Sequence, residues 1–186
     1  MRTQLEQIAS YQHLTKYQIA EVLTWSSVTL DTACSSSMYA LHLAVNAVRN
    51  NDCDAALVAG TQLILGPEIQ ISCARLGALS ATSQCHTFDA AADGYARAEG
   101  FGALYIKRLS DAVKNGDPIR AVIRGTAVNT NGRTAGIAHP SPEGQEAVIR
   151  SAYKNAGGLD PDLTGLFECH GTGTQVGDPL EVSAIG

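Results

Sequence analysis

The sequence of 186 residues lacks a long hydrophobic run, a basic stripe and any paired-cysteine spacing. Its densest apolar stretch, residues 55–59, falls far short of the roughly 20 residues a membrane span requires, so no transmembrane helix and no membrane partner are expected. The N-terminus carries Glu6 and glutamines where a secretory signal needs an apolar core. A soluble, cytoplasmic chain is therefore the expectation. Thirteen Lys and Arg against eighteen Asp and Glu leave a net charge of −5, and Lys107-Arg108 is the only adjacent basic pair. Nothing there would hold a row of phosphates, which argues against nucleic acid. Cysteines at 34, 53, 73, 85 and 169 are odd in number, irregularly spaced and without a C-x-x-C pair. Neither a disulfide framework nor a zinc knuckle is expected. The Cys85-His86 and Cys169-His170 neighbours do not supply a metal site, because adjacent residues on a strand point to opposite faces. Gly171, Gly173 and Gly177 give G-x-G-x-x-x-G, the wrong spacing for a dinucleotide loop, and no G-x-x-x-x-G-K-[ST] occurs.

What is present is an ordinary globular composition, 45% hydrophobic and 17% charged, at a length suited to about one domain. From residue 28 onward, short apolar runs alternate with helical patterns. Residues 28–31 read as a strand. Met38, Leu41, Val45 and Val48 then line one helical face, and residues 54–60 follow as an apolar strand covered on both faces. Residues 102–107, 119–128 and 166–169 read as further strands. Ser110 to Gly116 reads as a short helix with a serine N-cap and a terminating glycine, and Ser141-Pro142 opens a longer helix that closes at Gly157-Gly158. Asp178-Pro179 is another helix start, about two turns from Gly186. The alternation predicts an α/β layer structure with a largely parallel sheet. Residues 1–26 carry a loose helical pattern through Leu5, Ile8, Ile19, Val22 and Leu23 and are assigned no function.

Two places could carry chemistry. Cys34 follows one predicted strand and precedes a helix, so its sulfur would sit near the free N–H groups and positive end of the helix dipole. Such a site favours thiolate: a shift of one pH unit needs about 1.4 kcal/mol, within reach of a helix terminus. A buried packing role is the usual fate of a free cysteine. Ser35, Ser36 and Ser37 argue otherwise, since short polar residues suit a helix start whose backbone donors need partners. The turn lacks the glycines of G-x-S-x-G, which disfavours a serine-hydrolase elbow. The second place is Glu168-Cys169-His170-Gly171-Thr172-Gly173-Thr174, where a strand runs into a glycine-rich turn and presents His170 at its end. Thr172 and Thr174 offer hydroxyls suited to an amide-bearing chain. Cys34 and His170, each at a strand end, are compatible with a thiol and an imidazole meeting across one crevice. His13, His42, His86 and His139 lie in positions that suit exposure or structure better than catalysis.

The string Val28-Thr29-Leu30-Asp31-Thr32-Ala33-Cys34-Ser35-Ser36-Ser37 resembles the active-site segment of β-ketoacyl synthases, in the subgroup of type I polyketide and fatty acid synthases. Glu168 to Thr174, followed by Gly177-Asp178-Pro179-Leu180-Glu181, resembles that family's second signature. Thr87-Phe88-Asp89 with Asp93-Gly94-Tyr95-Ala96-Arg97, and Asn129-Thr130-Asn131-Gly132, resemble further segments. The resemblance covers residues 27–186 and is nearest to fungal iterative reducing polyketide synthases. It implies a thiolase-like fold of α-β-α-β-α layers. Residues 27–112 would be the end of its N-terminal half and 113–186 the start of its C-terminal half.

By that resemblance, Cys34 takes an acyl group from the phosphopantetheine thioester of an acyl carrier protein, with its own backbone N–H as an oxyanion donor. His170 would assist decarboxylation of a carrier-bound malonyl group, and the carbanion would attack the Cys34 thioester. Thr172 and Thr174 would bind the pantetheine arm. No cofactor is bound directly; acyl and malonyl thioesters are the substrates, and a homodimer is implied for the complete domain. The family also uses a second histidine and a lysine in a later segment, and Trp25-Ser26-Ser27 stands where a Gly-Pro-Ser type turn is usual. The expectation is thus a partial domain with little condensation activity of its own. Two other readings are a non-catalytic remnant that associates with a related synthase, and a thiol hydrolase using Cys34 and His170.

Overall fold

The computed structural model describes residues 27–136 and 139–186; the segment 1–26 lies outside them. The described residues divide into two compact units. One holds the residues up to Leu65 together with Ala98–Val122, the other Gly66–Arg97 together with Ile123–Gly186.

In the first unit, helix α1 (Ser36–Arg49) buries Val45 and Val48, the residues whose spacing marks its apolar face. It packs against strand β1 (Ala55–Gln62), where Gly60 leaves room for the helix: a Cβ there would lie 3.2 Å from that of Ser37. β1 pairs with β2 (Gly100–Lys107) in register Ala55↔Lys107 through Gln62↔Gly100. Helix α3 (Leu109–Asn115) ends on Gly116 in the left-handed conformation, φ 70°, as its glycine signal predicts. It begins one residue before Ser110, which lies inside the helix and does not cap it.

Arg108 ties this unit together. Its guanidinium donates to the carboxylates of Asp54 at 2.5 Å and Asp111 at 2.8 Å and to the Asn51 side chain at 3.1 Å. Those carboxylates hold it above its ordinary pKa, just as the hydrogen bond to Asp117 holds Lys107 above its own.

In the second unit lie α2 (Glu68–Arg75), α4 (Pro142–Asn155), a 3-10 turn (Pro161–Leu163) and α5 (Gly177–Ile185). Ser141 caps α4 by accepting the Gly144 N–H at 3.0 Å, with Pro142 at the first helical position, and α4 packs against α5. Gly125 runs directly against α4, where a Cβ would meet the Ala152 carbonyl and Ala156 N.

The sheet departs from expectation. Among the described residues it has two strands and they are antiparallel, whereas the alternating pattern predicts a largely parallel sheet. Residues 28–31, 119–128 and 166–169 carry no ladder. The physical reason is that an apolar, β-branched run marks a segment suited to a sheet, but a strand exists only where a neighbour supplies its hydrogen bonds. Val58 is the single buried residue of β1, its other positions being half-buried except Gln62, and Phe101 of β2 is 86% exposed. Helix α2 and the 3-10 turn have no counterpart in the sequence reading.

Candidate active site

Cys34 sits at an elbow that is built from its own neighbours. Ala33 adopts φ +57°, a left-handed conformation that costs a residue with a side chain roughly 1–2 kcal/mol. The bond network around it holds that conformation. The Ala33 N–H donates to Asp31 Oδ1 at 3.0 Å, and the Thr32 N–H to Ser36 Oγ at 2.9 Å. The Ser36 hydroxyl in turn donates to the Ala33 carbonyl at 2.6 Å, and that of Ser35 to the Thr32 carbonyl at 2.9 Å. The serines therefore brace the elbow. Ser35 occupies the N-cap of α1 without a side-chain cap bond, so the helix-start role expected of these serines is not the one they take. Cys34 itself is exposed and lies two residues before the first residue of α1.

His170 stands in a turn of a different construction. Its backbone N–H donates to Glu181 Oε1 at 2.6 Å and that of Gly171 to Glu181 Oε2 at 2.9 Å. Asp178, 3% exposed, accepts from Gly173 N at 3.1 Å, Thr174 N at 3.4 Å and Phe88 N at 2.8 Å. Both carboxylates belong to α5, where their spacing of three residues puts them on one face. Thr87 Oγ1 donates to the Gly171 carbonyl at 2.6 Å, and Gly94 N to the Gly173 carbonyl at 3.0 Å. At that crossing a side chain is excluded on either strand of the chain: Gly173 has φ +76° and a Cβ would lie 2.8 Å from His86 N. The Thr172 and Thr174 hydroxyls are 3.2 Å apart, and Thr174 Oγ1 also accepts the Gly177 N–H at 3.0 Å. One of the two expected pantetheine ligands thus also holds the first turn of α5.

A recess of about 240 Å³ opens beside His170, walled by Thr87, Phe88, Phe167 and Cys169. Burial, followed by the charges of Glu181, Glu168 and Asp178, pushes the Cys169 thiol above its ordinary pKa. It stays protonated at neutral pH. Of the other histidines, His42 lies 3.0 Å from the Asn46 amide and His86 lies 3.4 Å from the Thr82 hydroxyl. Among the described residues no group of three or more His, Cys, Asp or Glu is placed to hold a metal, and no helix is long and apolar enough to cross a membrane.

The structure brings His170, Thr172 and Thr174 into one turn and sets Cys34 on its own elbow. Sequence reasoning missed Asp178 and Glu181 as the acceptors that shape the turn. The signal was available, since both belong to the second motif and their spacing puts them on one helical face.

Sequence matching gives the class of protein to which the Cys34 elbow and the His170 turn belong. Residues 23–112 match the Beta-ketoacyl synthase, N-terminal domain family and residues 120–186 the Beta-ketoacyl synthase, C-terminal domain family. The chain belongs to the β-ketoacyl synthase family.

More particularly, it is 66% identical over 160 residues to a highly reducing polyketide synthase of Aspergillus sclerotiorum and 64% identical over 160 residues to prosolanapyrone synthase of Alternaria solani. Each match takes in 86% of this chain and 6% of the relative, so the chain spans a small part of those proteins. Among solved structures it resembles the oxazolomycin ketosynthase domain OzmH KS7 of Streptomyces albus, with TM-score 0.84 and 42% identity over 87% of this chain and 28% of that one. It also resembles the ketosynthase from module 6 of the bacillaene synthase of Bacillus subtilis, with TM-score 0.81 and 44% identity over 84% of this chain and 28% of that one. The fold is thiolase-like in the portion that the chain covers.

Proposed function

We propose that this chain carries the nucleophile and one histidine of a β-ketoacyl synthase that acts in polyketide biosynthesis by decarboxylative Claisen condensation. The observation that carries the reading is the exposed Cys34 on an elbow whose Ala33 is left-handed, beside the start of α1. The Cys34 sulfur attacks the carbonyl of an acyl thioester borne on the phosphopantetheine of an acyl carrier protein. A thioester to Cys34 forms, the pantetheine thiol leaves with a proton, and the Cys34 N–H donates to the oxyanion. His170 then donates to the enolate oxygen that develops as a carrier-bound malonyl group loses carbon dioxide. The carbanion bonds to the acyl carbon and expels the Cys34 thiolate, leaving on the carrier a 3-oxoacyl chain two carbons longer. Thr172 and Thr174 hydrogen-bond the pantetheine amides. Residues 27–112 are the end of the N-terminal half and 113–186 the start of the C-terminal half, and the complete domain works as a homodimer.

For this chain alone we expect acylation of Cys34 with little condensation, since members of a catalytic unit act together. The test is incubation with an acyl thioester followed by mass spectrometry. An adduct on Cys34 that disappears in Cys34→Ala supports the reading; its absence from a chain shown by circular dichroism to be folded overturns it. A non-catalytic chain that associates with a related synthase is the competing reading. The exposed Phe101 and Tyr105 on β2 favour it, and an unreactive, folded chain that co-elutes with a related synthase would establish it.

A further inference from the structure

The Thr87-Phe88 segment belongs to a motif that the reaction scheme leaves without a role. We propose that it is the positioning strap of His170, holding the turn that bears the imidazole and closing its recess with the Phe88 ring. This rests on the reading of His170 given above and extends it.

Three independent contacts converge on the strap. The Thr87 hydroxyl donates to the Gly171 carbonyl at 2.6 Å, one residue past His170. The Phe88 N–H donates to Asp178 Oδ2 at 2.8 Å, while Oδ1 of the same carboxylate accepts from Gly173, so one buried group fixes strap and turn together. The strap's side chains also close over the turn: a Cβ on Gly171 would lie 2.6 Å from Thr87 Cγ2 and 3.8 Å from Phe88 Cε2.

Phe88 has φ +56°, where a glycine would sit without strain and a bulky aromatic does not. An unfavourable conformation persists only where its surroundings over-determine it, and such residues cluster at functional sites. The ring is the one thing a glycine could not supply here. It forms a wall of the recess beside His170.

The experiment follows the imidazole of His170 by NMR titration in the isotope-labelled 186-residue chain, assigned by its loss in His170→Ala. Thr87→Val removes the hydroxyl at nearly constant shape, Phe88→Gly removes ring and strain together, and Phe88→Leu keeps an apolar wall. Thr87→Val and Phe88→Gly should each move the His170 midpoint by about half a pH unit. Phe88→Leu should stay near the parent, and Phe88→Gly should melt no lower than it. Midpoints unchanged in both Thr87→Val and Phe88→Gly overturn the proposal. So does loss of the folded far-UV spectrum in Phe88→Gly, which would make the segment merely structural. If Cys34 takes no acyl group yet the midpoints move, the strap stands and the condensing role falls.

Discussion

The elbow at Cys34 and the turn at His170 solve one problem, fixing an irregular stretch of backbone, with opposite means. The elbow bonds described above join residues at most four apart in sequence. The turn is held from Thr87 and Phe88, 84 and 90 positions before their partners, and from two carboxylates on the helix that follows. The elbow therefore forms wherever α1 and its preceding residues form. The turn exists only when segments far apart in the chain have already come together, and loop closure of that kind is a cost that local structure escapes.

The largest effect should come from Gly94→Ala. At φ +137°, a Cβ there would lie between 2.5 and 2.7 Å from backbone atoms of Ala78, Leu79 and Ser80, which cannot rotate away. A loss of about 4 kcal/mol or more is expected, with the amides of residues 170–174 losing hydrogen-exchange protection first. If those amides stay protected, the turn does not depend on its distant crossing. Asp178→Ala comes next. It removes the acceptor of Phe88, Gly173 and Thr174, leaving backbone donors inside the unit without partners, and should cost about 3 kcal/mol. Denaturant melts check this, and a loss below about 1 kcal/mol would mean that the carboxylate is dispensable.

The contrast in range also explains what the sequence disclosed. Residues 28–37 and 168–174 announce the family, because residue type and order are enough to mark it. The apolar faces of α1 and the caps of α4 are equally legible, since a helix is written in spacings of three and four residues. The strand partners are not. A β-branched run such as residues 119–128 says that a segment could join a ladder and says nothing of which neighbour, or in which direction. Asp178 and Glu181 fall between these cases. Their spacing shows a shared face, while their partners, the N–H groups of a turn, leave no mark on composition at all.

Cys169 sharpens the comparison from the side of pH. Its folded-state pKa is raised first by burial and then by Glu181, Glu168 and Asp178. A raised thiol pKa favours the protonated form, so its contribution to stability is fully present below the unfolded-state value of about 8.5 and is lost as pH rises through the folded-state value. Iodoacetamide should thus modify exposed Cys85 ahead of Cys169 at pH 8, with the gap narrowing under stronger alkali. Equal rates at pH 8 would show that the carboxylate-rich turn does not restrain its own cysteine.

The smallest effect on stability is expected at the elbow itself. Ser35→Ala removes a bond to the Thr32 carbonyl and the partner of the Thr32 hydroxyl, both on exposed groups that water can satisfy, so the loss should be about 0.5 kcal/mol or less. Its effect on chemistry should be larger than that on folding. With one brace gone, Ala33 can relax from φ +57° and the sulfur can leave the geometry the elbow imposes, so the rate of acyl adduct formation at Cys34 should fall several-fold while the melting temperature barely moves. Ser36→Ala, which takes away both the acceptor of Thr32 N and a donor to the Ala33 carbonyl, should slow the adduct further. Parent-like rates in both variants would show that the left-handed turn is set by the start of α1 alone and that its serines are bystanders.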